Sequence, residues 1–232
     1  MNTSSVAFAT LVVLLSLAGT ARGDILVDHQ PHPYGGLGSD TLFTAPSGRP
    51  VWQLVADDFT LAAPDQAVSV NFWGFYNEDN PPAVETMRIR IEAARLSDGL
   101  PDDNNILSES TVQNPSRMAT GRFVLADVGA HEYIYTASLS APVSLGAGTT
   151  YWLEVAQIGD ITTDFRWEDS VADFNGVAAV NSIHADWQDT FPAVSADAAF
   201  RLISPEPASS VMLALGLPSL AWRRRSRKGA ST

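Results

Sequence analysis

The segment Met87-Arg88-Ile89-Arg90-Ile91-Glu92 alternates apolar and charged side chains at all six positions. Successive side chains of a strand point to opposite faces, whereas a helix would scatter these residues around its axis. The run is therefore a strand with one dry and one wet face, Ile89 pointing inward and Arg88 outward. Tyr151, Leu153 and Val155 alternate with Trp152, Glu154 and Ala156 in the same way, and Val68, Val70, Phe72 and Tyr76 form a third set whose opposite face carries Trp73 and Phe75. Further strand-like runs are Val51 to Phe59, Gly121 to Asp127, Tyr133 to Leu139 and Ala198 to Ile203. Turn-forming clusters separate them: Asn77 to Pro82, Ser97 to Asp102 and Leu145 to Gly148. No part of the body sustains a helical period over three turns. The pattern predicts an all-β domain over residues 24–204, an antiparallel β-sandwich of jelly-roll type.

Charge narrows the partners. Between Asp24 and Pro205 lie eight arginines, no lysine and 25 acidic residues, a net of −17. Such a surface repels phosphate backbones, so nucleic-acid binding is not expected. The absence of cysteine excludes disulfides, thiolate metal sites and cysteine nucleophiles.

Both ends read as addresses. Val6 to Leu17 is a 12-residue apolar run, the length of a signal-peptide core and short for a bilayer span. Ala21 and Gly23 supply small residues for a signal peptidase cut ahead of Asp24, giving a signal peptide over 1–23; a cut after Ala21 is the alternative. The leading MNTSS departs from the pattern in carrying no Lys or Arg. At the other end, Pro205-Glu206-Pro207 precedes an apolar stretch, Ala208 to Trp222, and then Arg223-Arg224-Arg225-Ser226-Arg227-Lys228. Over 205–232 the chain resembles the PEP-CTERM sorting segment of Gram-negative, biofilm-forming bacteria, with its three parts in order. The resemblance implies recognition and processing by an exosortase near the tripeptide. Topology agrees: an apolar helix followed by arginines stops transfer, with Arg223, Arg224 and Arg225 as a cytoplasmic anchor for a transmembrane helix. The fifteen residues from Ala208 to Trp222 span only about 22 Å against a hydrocarbon core of roughly 30 Å, and Pro218 interrupts them. Snorkelling arginines and local thinning cover part of the gap.

The body is also similar, in Ala56 to Leu61, Trp73 to Tyr76, Thr150 to Val155 and Ala199 to Leu202, to domains of PEP-CTERM and related bacterial surface proteins. These are strand motifs, and the resemblance implies a surface β-sandwich without implying any chemistry.

Chemistry in the body is sparse. Asp57 and Asp58 adjoin in a strand and so face opposite ways, while Asp102 and Asp103 fall in an expected turn. Asp98, Asp102 and Asp103 offer hard oxygen ligands in one loop, a candidate calcium site that lacks EF-hand order. His29 and His32 flank Pro31 in an extended segment with no third ligand nearby. No Gly-x-Ser-x-Gly elbow occurs, and Gly35-Gly36-Leu37-Gly38 reads as a flexible loop. Trp73 and Trp152 are expected to pack against a sheet. Trp167-Glu168-Asp169 and Trp187-Gln188-Asp189 set an indole beside polar groups, as a sugar platform would. Two functions follow as expectations: a non-enzymatic, exported surface or extracellular-matrix protein without a required cofactor, with exopolysaccharide as a candidate partner, or a carbohydrate-binding module using Trp167 and Trp187.

Overall fold

A computed structural model of the protein describes residues 23–44, 50–79, 81–124, 129–159, 163–170, 178–182, 187–189 and 197–206. The signal segment before Gly23, Pro207, and Arg223, Arg224 and Arg225 lie outside these residues. Ile25–Ser204 forms one compact unit. Among the described residues it contains fourteen strands: β1 (Ile25–His29), β2 (Pro31–Gly38), β3 (Asp40–Thr44), β4 (Pro50–Phe59), β5 (Asp65–Tyr76), β6 (Thr86–Ala94), β7 (Pro101–Gln113), β8 (Ser116–Phe123), β9 (His131–Leu145), β10 (Tyr151–Gln157), β11 (Phe165–Ser170), β12 (Ala178–Ser182), β13 (Gln188–Asp189) and β14 (Phe200–Ile203). A 3₁₀ turn at Asn77–Asp79 is the only helical element among them.

The strands make two seven-stranded sheets. In the first, β5 is the spine. β9 pairs along one flank, with β8 outside it. The other flank is shared: β14 pairs with Ser69 to Phe72 and β11 with Gly74 to Tyr76, β1 and β2 lying beyond them. The second sheet runs β13-β12-β4, then β10, β6 and β7, with β3 filling the rest of the β4 edge. Every strand pair is antiparallel except β3–β10, joined through Asp40 and Gln157. The fold is all-β and antiparallel, in an arrangement consistent with a β-sandwich.

One apolar core draws from both sheets, and the alternation explains which residues enter it. Met87, Ile89 and Ile91 of β6, Tyr151, Leu153 and Val155 of β10, and Val70, Phe72 and Tyr76 of β5 all point inward. At the centre the Phe72 and Tyr135 rings stack 4.9 Å apart, and Phe165 meets both edge-on at 6.3 and 5.9 Å. Edge-to-face pairs add about 0.5–1.5 kcal/mol each beyond the area they bury.

Three local expectations change. Gly35 to Gly38 belongs to strand β2 and is not a flexible loop. Its strand crosses β11 so closely that a Cβ on Gly36 would stand 2.4 Å from the Trp167 carbonyl oxygen and 2.9 Å from the Phe75 ring. The glycine is a packing requirement. Asp102 and Asp103 open strand β7, because the turn ends at Leu100. The strand expected at Gly121 to Asp127 starts earlier, as β8, and ends at Phe123.

Candidate functional site

The outer face of the second sheet collects the ionic side chains that the alternation sends away from the core. β6 presents Arg88, Arg90 and Glu92, and antiparallel register sets Glu154 opposite Arg90 and Trp152 opposite Glu92. This face is not wet. β10 is buried at all seven positions, because Leu54, Ala56, Trp152, Ala156 and Trp187 make a second apolar cluster, with Ala94 and Leu100 against it. The Trp152 indole nitrogen donates to the Gly99 carbonyl at 2.9 Å, tying the β6–β7 turn down over the sheet. Arg95 of the same turn reaches Asp98 at 3.2 Å and the Trp187 carbonyl at 3.5 Å.

Within this cover, Arg88 Nε donates to Glu154 Oε1 at 2.8 Å, and Arg90 Nη1 lies 3.8 Å from Oε2. Arg90 also pairs with Glu109 at 2.5 Å and stands 4.0 Å from Asp103. Burial raises the Glu154 carboxyl above its ordinary range, and the two guanidiniums pull it back only in part. Glu92 is different. It is 0% exposed, and neither of its oxygens meets a hydrogen-bond partner among the described residues. Burial first, then the charges of Glu154 and Asp103, push it up to about 8. At neutral pH Glu92 therefore carries a proton, as a carboxyl without a donor in a closed site must. Two carboxyls whose environments differ can divide acid and base work, but this pair is sealed under Trp152 and the β6–β7 turn.

The sequence-nominated residues fall as follows. Asp98 Oδ1 accepts from Leu100 N at 3.1 Å as well as from Arg95, Asp102 Oδ1 accepts from Asn104 N at 3.0 Å, and Asp103 faces Arg90. Among the described residues no three His, Cys, Asp or Glu gather as a metal ion would require. Trp167 is 1% exposed, packs its ring against Phe200 and donates to the Ala199 carbonyl at 2.9 Å. Trp187 is 2% exposed. Neither ring offers a face to solution, so the sugar platform expected on these two tryptophans is corrected: both belong to packed clusters. Trp73 and Trp152 are buried as expected.

Asp57 and Asp58 do part company across the sheet. Asp57 points into the interior, where its Oδ2 lies 3.0 Å from His29 Nδ1 and accepts from Ala198 N at 3.1 Å. Burial pushes Asp57 up to about 7, against the pull of His29. Burial lowers His29, but the hydrogen bond and charge of Asp57 outweigh it and the net direction is up. This pair ties β1 of one sheet to β4 of the other. Sequence reading missed His29–Asp57 and Glu92 because each depends on strands far apart in the chain; the one available signal was a charged residue in phase with a buried set, as Asp57 is with Val55 and Phe59.

At the C-terminal edge, β14 ends at Ile203, Ser204 is buried, and Pro205 and Glu206 are exposed without regular structure. Among the described residues no helix is long and apolar enough to cross a membrane. No curated protein matches the chain. A family model described as a domain of unknown function, DUF7901, matches residues 27–215, from β1 through the last strand and past the Pro-Glu-Pro tripeptide. Since that match covers most of the sequence, the chain belongs to the DUF7901 family.

Proposed function

We propose that this is an exported, non-enzymatic surface or extracellular-matrix protein, released from its signal peptide and processed by an exosortase at Pro205-Glu206-Pro207. The observation that carries the reading is the exposure of Pro205 and Glu206 directly after buried Ser204. Proline holds the preceding residue extended, so an enzyme meets a readable strand instead of a folded edge. The body is read as a jelly-roll-like sandwich that serves as a scaffold, and the enclosure of its ionic side chains supports a structural use for them. Before processing, the helix ending at Arg223, Arg224 and Arg225 holds the precursor in the inner membrane, since taking an arginine through the bilayer centre costs about 2.5–3.5 kcal/mol on insertion scales. Exopolysaccharide is the proposed surrounding in the matrix.

The test is mass spectrometry of both terminal peptides in a host with an exosortase. Wild type should begin within two residues of Asp24 and lack its arginine tail when deposited. Glu206→Ala should stay in the inner membrane with that tail intact, while exchange of Arg223, Arg224 and Arg225 for Ser should let unprocessed chains slip into the periplasm. A Glu206→Ala protein trimmed and deposited like wild type would make the tail an ordinary anchor.

A further inference from the structure

The end of the first sheet where β5 leaves and β9 enters carries an aromatic and polar cluster. The face of β9 that supplies Tyr135 to the core runs on through Tyr133 to His131, and burial falls along it. Tyr135 is 0% exposed, Tyr133 is half-buried and the His131 side chain is 42% exposed. Phe123, the last residue of β8, lies opposite His131 and is 53% exposed, with the two rings 4.6 Å apart. A bulge puts it there. Between Ala119 and Phe123 the register shifts so that four steps of β8 match two of β9, and Gly121 takes the bend at φ 83°. Thr120 Oγ1 accepts from Arg122 N at 3.2 Å, and Arg122 Nε donates to Glu132 at 2.9 Å, which fixes the bulge. Bulges of this kind re-aim a side chain, here the Phe123 ring, onto the neighbouring strand.

The polar groups beside the ring are locked in place. Asp79, in the 3₁₀ turn after β5 and at φ 51°, accepts from the His131 backbone N–H at 3.1 Å and from its Nδ1–H at 2.7 Å. With Nδ1–H given to a carboxylate, Nε2 is the acceptor of the neutral ring. Arg117 stands over the Tyr133 ring at 5.2 Å and pairs with Glu85 at 2.9 Å. Fixed polar groups around an exposed ring suit a sugar, whose C–H face lies on the ring while its hydroxyls donate and accept. A protein interface would need a broad apolar patch instead. Met118, the other exposed large apolar side chain of β8, lies opposite Ile134 and so on the other face of the sheet. Charge selects against acidic sugars: Arg117 is paired with Glu85 and Arg122 with Glu132, in a body with a surplus of acid.

We propose that Phe123, His131 and Tyr133, with Asp79 as the anchor of His131, form a subsite for one neutral pyranose unit of a polysaccharide. The apolar face of the sugar covers Phe123, and His131 Nε2 and the Tyr133 hydroxyl are the groups offered to its hydroxyls. The inference deepens the matrix reading, on which it rests for the source of the polysaccharide, and gives the scaffold a point of attachment.

Affinity electrophoresis of the full-length protein, in a detergent without a sugar headgroup, tests this in gels containing dextran, mannan, hydroxyethyl cellulose or alginate. At least one of the three neutral polymers should retard wild type, and alginate, a polyuronate, should not. Phe123→Ala and Phe123→Leu should each weaken binding by about tenfold. Phe123→Trp, which keeps a flat ring, and Met118→Ala, on the other face, should bind like wild type. Both positions are exposed, so melting points should stay at the wild-type value. Wild-type binding by Phe123→Leu, a stronger pull from alginate, or no retardation by any neutral polymer overturns the proposal. So does a concentration-dependent dimer that Phe123→Ala dissolves, which would make this end a docking surface for a second copy. Terminal-peptide mass spectrometry separates the site from the processing reading. Phe123→Ala should be trimmed like wild type, and a wild-type chain that binds a neutral polymer but keeps its tail would overturn the processing and support the site.

Discussion

Single residues in this protein are governed by whether a charge finds a partner before it is buried. Glu85 shows the satisfied case: it accepts from Tyr76 at 2.5 Å and Tyr135 at 3.0 Å and meets Arg117 at 2.9 Å. Glu92 shows the opposite, with no hydrogen-bond partner among the described residues and a carboxyl held neutral by burial. Replacing Glu92 by Gln should therefore stabilise the fold at neutral pH and hardly at all in acid. The folded value of about 8 stands above the unfolded 4.5, so the proton's stabilisation is present below 4.5 and is lost as pH rises through 8. At pH 7 to 8 the gain should be about 1–3 kcal/mol in urea unfolding. The same gain at pH 4 and pH 8 would show that the glutamine acts by packing and not through the lost titration.

At the scale of elements, β6 and β10 look alike in sequence, but the structure treats both of their outer faces as partly interior. That changes what a charge reversal does. Ile89→Asp puts an unpaired carboxylate into the main core and should leave the domain unfolded, a loss of several kcal/mol. Sequence alone suggests that Arg88→Asp is tolerated far better than Ile89→Asp, because Arg88 sits on the face read as wet. The structure sets Arg88 against fully buried Glu154 at 2.8 Å, and stripping a buried carboxylate of its partner costs about 3–5 kcal/mol. Arg88→Asp should thus melt well below wild type, while Arg88→Lys, which keeps the charge, should recover much of the loss. Thermal melts of the three variants check this. A wild-type melting point for Arg88→Asp would mean that Arg90 alone suffices for Glu154.

For the whole molecule the governing quantity is the surplus of acid. All seven described arginines of the body, Arg88, Arg90, Arg95, Arg117, Arg122, Arg166 and Arg201, lie against carboxylates. Cations spent on internal pairs leave the remaining carboxylates to repel one another. Salt screens such repulsion over a Debye length of about 10 Å at 0.1 M, and surface ion pairs lose little because they are worth about 0–1 kcal/mol each. Raising sodium chloride from about 10 mM to 0.3 M, beyond that Debye regime, should therefore raise the melting temperature by a few degrees. A fall on adding salt would mean that the arginine pairs outweigh the net repulsion.

Alternation along β6, β10 and the Val70 to Tyr76 part of β5 determined the fold class and the inward residues without help from the structure, since a strand's two faces are set by neighbours in the chain; at Val68 it failed, because the register shifts between Ala67 and Ser69 and Ala67 takes the core position. The turns that follow Tyr76 and Leu145 were legible for the same local reason. So were the composition of the body and the order of the C-terminal motif. Tertiary structure alone decided what covers the outer faces. Trp152 and Glu154 became interior because the β6–β7 turn and Trp187 fold over them, and Gly36 became a strand residue because β11 lies against its backbone. The ionic constellations were illegible as well. Asp57 meets His29 across 28 positions of chain, and Glu154 meets Arg88 across 66. The energy of a buried charge depends on those distant neighbours and on the loss of water, and neither quantity is written in a residue's own surroundings along the sequence.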